Sequence, residues 1–150
     1  MIKSVLLTGG LGYIGGRLVS HLSSKGYEVH CGTSRSSVAP PDWLPTLSVS
    51  SIDWMSFDSL CRASHGIDCI IHLAAMNEID SAIDPVGALE MNGVASLRLI
   101  EAAKKEGVKR FIYFSTAHVY GAPLEGRIDE QTLPKPTHPY SISHKVTEDF

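Results

Sequence analysis

Apolar positions along the chain follow two alternating rhythms. Residues 2–8, 28–33, 46–52, 68–74 and 110–115 are runs rich in β-branched and apolar side chains, and they predict strands. Several are apolar throughout, as strands buried on both faces are. Between them, Leu11, Ile14, Leu18 and Leu22 recur at helical spacing, and residues 86–105 carry a second, longer helical pattern. Such alternation predicts an α/β chain whose parallel sheet is doubly wound, with helices on both faces and ligands beyond the carboxyl ends of the strands. The Ser- and Pro-rich stretch 34–45 and residues 121–139 read as loops.

Composition narrows the function classes without naming one. At 150 residues the chain is expected to form one domain, spanning 1–150. Hydrophobic residues at 43%, charged residues at 19% and a net charge of -3 give no basic excess for nucleic acid or an anionic membrane. No apolar run approaches the roughly 20 residues of a membrane span, and no leader precedes the first strand, so a cytoplasmic location is expected. Cys31, Cys61 and Cys69 are odd in number and lie in apolar stretches without metal-site spacing. Buried, reduced thiols are expected, and no metal site.

The chemistry begins at the first strand's end. "VLLTGGLGYIGG" places Gly10, Gly12 and Gly15 in the G-x-G-x-x-G arrangement, after a strand and at the start of an amphipathic helix. Glycines permit the tight turn and let backbone approach a pyrophosphate, which the free N–H groups and the helix dipole attract. A Rossmann-like dinucleotide site is therefore expected, with Gly9, Gly12, Tyr13, Ile14 and Gly15 at the cofactor. The second strand ends without the acidic residue that selects NAD. "GTSRSS" offers Ser34 and Arg35 instead, suited to a ribose 2'-phosphate, so the cofactor is NADP or NAD with NADP favoured. Asp53 fits two roles, accepting from the adenine amino group or capping a helix.

These residues resemble the extended short-chain dehydrogenase/reductases, the NAD(P)-dependent epimerase/dehydratase group acting on nucleotide sugars. "TGGLGYIGG" resembles its cofactor loop, "DCIIHLAA" its fourth strand, "MNGVASLRLIEAA" its long helix with an asparagine, and "GVKRFIYFSTAHVYG" its fifth strand. The resemblance adds Leu73, Ala74, Ala75 and Asn92 to the expected cofactor contacts. It covers an amino-terminal half, with the chain ending inside the helix that begins near Tyr140 and the substrate lobe outside it. It also implies a nucleotide-sugar substrate and a homodimer through the long helices. For that helix, Val86, Leu89, Val94, Leu97 and Ile100 are expected to cover the sheet, leaving small Gly87, Gly93, Ala95 and Ala102 as a flat partner face.

The same resemblance places Thr116 and Tyr140 at the family's catalytic Ser/Thr and tyrosine. Tyr140 would exchange a proton with a substrate oxygen while hydride moves to or from nicotinamide, and Thr116 would hold that oxygen. Family members that eliminate water resemble a version with Asp and Glu after the threonine; Ala117 and His118 stand here, which favours an epimerase or reductase. The family's lysine, four residues after the tyrosine, is replaced by His144. A unit charge about 4 Å away is worth roughly 4 kcal/mol at an effective dielectric of 20, about three pKa units, and a neutral histidine supplies almost none of it. A minor protonated fraction of His144 near pH 7 and a hydrogen bond to a ribose hydroxyl are expected to compensate in part. Lys145, one residue on, is expected to point roughly 100° away. The alternative is a non-catalytic dinucleotide-binding sensor or scaffold.

Overall fold

A computed structural model describes residues 1–36 and 38–150, so Ser37 in the expected 34–45 loop lies outside the described residues. The chain forms two compact units, residues 1–74 with 98–114 and residues 75–97 with 115–150.

The first unit is built on five parallel strands, β1 (Ser4–Thr8), β2 (Glu28–Thr33), β3 (Ser48–Ser51), β4 (Cys69–His72) and β5 (Arg110–Tyr113), in the order β3-β2-β1-β4-β5. This is the expected doubly wound, Rossmann-like sheet, with strand ends drawn in by up to two residues. Central β1 and β4 are buried at every position, which is why their sequences show no alternation. Val5, Leu7, Val29, Cys31, Cys69 and Ile71 share one face with Val19 of α1 (Tyr13–Ser24), while Leu6 and Ile70, paired in register, turn to the other. All three cysteines are free and buried, and burial raises the thiol pKa of Cys31 and Cys69.

In α1 the buried positions are Gly15 and Val19, with Leu18 and Leu22 half-buried; Ile14, expected on the core stripe, is 52% exposed. The helix must place Gly15 against the loop, and that sets its rotation. A short α2 (Phe57–Ser64) begins at Ser56, whose hydroxyl accepts from Ser59 N at 3.2 Å.

The second unit holds α3 (Glu78–Ile83), α4 (Pro85–Ala88), a π turn (Leu89–Ala95), a 3-10 turn (Ala117–Tyr120) and α6 (Pro139–Asp149). The π turn runs directly into α5 (Ser96–Lys105), which from Arg98 onward belongs to the first unit. The expected long helix is therefore present but interrupted, and its faces are in large part the reverse of those expected, with Leu97, Ile100 and Gly87 half-buried. Ala88, Asn92, Ala95, Leu99 and Ala102 form the buried stripe, while Val86 is 69% exposed and Leu89 and Val94 are exposed. Small residues let the helix backbone come close to its neighbours without leaving voids.

Candidate functional site

In the first unit the turn after β1 is shaped by what is missing. Gly9 has φ +72, and a Cβ there would stand 2.9 Å from Ala74 N and 3.0 Å from the Leu73 carbonyl carbon. A Cβ on Gly15 would reach 2.2 Å from the Gly9 carbonyl oxygen. Neither neighbour is a flexible side-chain tip, so both positions require glycine. Thr8 fixes the facing segment: its carbonyl accepts from Leu73 N at 3.2 Å, its Oγ1 accepts from Ala74 N at 3.4 Å, and Oγ1 lies 2.6 Å from His72 Nδ1. The first helical turn of α1 holds no acidic residue, and its N-cap Gly12 offers no side chain to occupy the N–H groups behind it.

Gly9, Gly12, Tyr13, Ile14, Gly15 and Leu73 line one cavity of about 320 Å³. Uncapped amides, a helix dipole and no room for side chains fit a dinucleotide pyrophosphate. A wider groove of about 680 Å³ follows the outer face of α1 past Arg17 and Trp43, sharing only Gly12 and Tyr13 with the first. Beyond β2, Ser34 and Arg35 are exposed, with Arg35 N donating to Thr33 Oγ1 at 3.3 Å. Asp53 is exposed and its Oδ1 accepts from Met55 N at 2.9 Å, closing a turn ahead of α2 rather than capping it.

In the second unit, α6 is started by His138, whose Nδ1 accepts from Tyr140 N at 3.2 Å, and by Pro139 in its first turn. Tyr140 is half-buried, and its ring meets the edge of the His144 ring with centroids 4.5 Å apart. His144 itself is 2% exposed, and burial pushes its pKa down to about 4. The protonated fraction expected near pH 7 is therefore absent: desolvation disfavours the cation. Lys145 pairs with Asp149 one turn on, and its ammonium is engaged there. Thr116 caps the 3-10 turn, its Oγ1 accepting from His118 N at 3.3 Å, which leaves the hydroxyl proton to donate elsewhere.

Asn92, expected at the cofactor, is 1% exposed, and its amide is occupied by protein groups. Oδ1 accepts from Met76 N at 2.6 Å, while Nδ2 donates to Met76 O at 3.3 Å and to Ser143 Oγ at 3.0 Å. Sequence reasoning missed Ser143 and Thr147 as its partners. The signal was faint: two small hydroxyl residues four apart on the helix of Tyr140.

A parallel sheet of this order, with a glycine cradle where β1 meets α1, is the doubly wound, Rossmann-like class of fold. The sequence profile of the NAD dependent epimerase/dehydratase family matches residues 5–149, and the chain belongs to that family. It is 32% identical over 149 residues to a UDP-glucose 4-epimerase of Rhizobium leguminosarum bv. trifolii, covering 97% of this chain and 45% of that protein. Among solved structures it is similar to MoeE5 in complex with UDP-glucuronic acid and NAD, at 33% identity and a TM-score of 0.83, covering 98% of this chain and 48% of that one. A UDP-glucose 4-epimerase of Thermus thermophilus in complex with NAD aligns at 29% identity and a TM-score of 0.86, with 98% and 49% covered. The chain spans about half the length of the relatives it matches.

Proposed function

We propose that the protein is an NAD(P)-dependent epimerase or reductase of a nucleotide sugar, and that this chain carries its cofactor site and its acid/base tyrosine. The observation that carries the reading lies in the second unit, where the 3-10 turn capped by Thr116 packs against the helix of Tyr140. The similarity to UDP-glucose 4-epimerases supports it. A dinucleotide held in the glycine cradle would supply a hydride acceptor and donor. Tyr140 takes the proton of a sugar hydroxyl as a carbonyl forms and returns it on reduction, while the Thr116 hydroxyl donates to the same oxygen. Ala117 cannot transfer a proton, which disfavours elimination of water.

Gly9, Gly12 and Gly15 would hold the pyrophosphate, with Leu73 and Ala74 flanking it, and Asp53 would turn a carboxylate oxygen to the adenine amino group. Arg35 would take a 2'-phosphate, which favours NADP; the NAD in two similar structures supports NAD itself. Exposed Val86, Leu89 and Val94 are the apolar surface on which a homodimer would form. Among the described residues no helix is long and apolar enough to cross a membrane, and a cytoplasmic location is the simplest reading.

The reading is tested by incubating the intact protein with dinucleotide and UDP-sugars and following the product by NMR. Inversion or oxidation of a sugar carbon supports it. A second reading, a non-catalytic dinucleotide sensor, is favoured by His144, a buried neutral group where the family places a lysine. Tight dinucleotide binding with no turnover of any UDP-sugar would establish the sensor instead.

A further inference from the structure

The π turn at Leu89–Ala95 leaves one carbonyl of its helix to be satisfied from outside. In an α-helix the Ser96 N–H would bond the carbonyl of Asn92; a π turn bonds five residues back instead of four, which takes that N–H off Asn92. The Asn92 carbonyl is met by α6, where Thr147 Oγ1 donates to it at 2.5 Å. The hydroxyl's alternative acceptor, Ser143 O on its own helix, is farther away at 3.4 Å. The Asn92 side chain reaches the same helix one turn earlier, donating to Ser143 Oγ, which in turn donates to Tyr140 O at 2.9 Å. One residue of the π turn is thus gripped at two points of α6, four residues apart and both nearly fully buried. Asn92 also bonds both backbone groups of Met76, so the grip is anchored in the segment after β4.

Two contacts one turn apart on one helix face fix that helix in rotation and in register. Tyr140 and His144 are another i, i+4 pair on the same helix, so their direction is set by the phase that Ser143 and Thr147 impose. We infer that Thr147 and Ser143 are positioning residues, which lock α6 onto the π turn through Asn92 and thereby aim the Tyr140 hydroxyl. This rests on the reading of Tyr140 as the acid/base. Beside Tyr140 lies the His144 ring, while Lys145 is turned to Asp149.

The test compares Thr147→Val, which keeps the shape and removes the donor, with Thr147→Ser, which keeps the donor, in the intact protein. Thr147→Val is expected to lower kcat about 10- to 100-fold while dinucleotide Kd and sugar-nucleotide KM stay within about twofold, because misplacing a reacting group costs rate more than affinity. Thr147→Ser recovers most of the rate. Amide hydrogen exchange over residues 140–147 speeds up in Thr147→Val and not in Thr147→Ser. Should Thr147→Val fail to fold, Ser143→Ala removes the other contact and is expected to show the same loss in kcat.

Wild-type kcat in Thr147→Val, or a loss that Thr147→Ser does not recover, overturns the inference. Tyr140→Phe assayed alongside separates the two levels. If it keeps turnover, the acid/base reading fails and the inference with it. If it is inactive while Thr147→Val runs at the wild-type rate, only the inference fails. In a protein without turnover, equal exchange protection in wild type and Thr147→Val overturns it.

Discussion

At the end of β1 the candidate site is shaped by removing side chains, whereas in α6 it is shaped by tying side chains down. Gly9 and Gly15 leave no space for a Cβ, so backbone itself lines the cavity, and the atoms offered are amides that every sequence possesses. Around Tyr140 the reverse holds. Asn92, Ser143 and Thr147 are nearly fully buried polar side chains whose hydrogen bonds join segments about fifty residues apart. Binding a pyrophosphate needs a shape and a dipole; aiming one hydroxyl needs a rotation held against thermal motion. The first should tolerate most changes except added bulk, and the second should be sensitive to the loss of a single donor.

The largest effect should come from breaking the backbone site with one methyl. Gly15→Ala forces its Cβ into the Gly9 carbonyl oxygen and the Gly10 backbone. A loss of about 3 kcal/mol or more in stability is expected, since neither neighbour can move alone. Dinucleotide binding by titration calorimetry should disappear with it. A variant that melts and binds like wild type would show that the loop is looser than its geometry implies.

The buried histidine sharpens the other side of the comparison. His144 has its pKa pushed down to about 4 by desolvation, against about 6.5 in an unfolded chain. Between these values the unfolded state binds more protons than the native one, so stability rises with pH. The contribution is complete above about pH 6.5 and is lost as pH falls toward 4. It amounts to as much as about 3 kcal/mol. Denaturant titrations of wild type and His144→Gln from pH 7 to 4 should show a shallower decline in the variant. Parallel curves would mean that the ring charges without resistance.

The smallest effect belongs to the rim. Arg35→Ala is expected to weaken NADPH by about 1 to 3 kcal/mol, the worth of charge-assisted hydrogen bonds, and to leave NADH unchanged. Equal NADPH and NADH affinities in the unmodified protein would remove the NADP preference.

The same contrast explains what could be read from sequence. Five strands and the glycine loop were legible because burial on both faces and the need for glycine leave local marks. The π turn left none, and the Asn92 carbonyl within it is met from α6, by Thr147. Asn92 was noticed in sequence, but its partners Ser143 and Thr147 lie 51 and 55 residues away and carry no pattern that links them to it. The misread faces of the long helix have a related origin, since Gly93, Ala95 and Ala102 look like a flat partner surface in sequence and all three are buried. Two short helices were missed although each has a capping side chain, Ser56 for α2 and Asn77 for α3. Asp84 and Pro85, a capping aspartate and a first-turn proline, could have placed the start of the long helix.

The division of labour between the two regions is tested most directly by Tyr140→Phe in the intact protein, measuring turnover of a UDP-sugar and affinity for the dinucleotide on the same preparation. Loss of turnover by about 100-fold or more, with dinucleotide Kd unchanged, is predicted for a proton-transfer group that takes no part in the pyrophosphate cradle. Turnover that survives the substitution, or a dinucleotide site that fails along with it, would contradict the account.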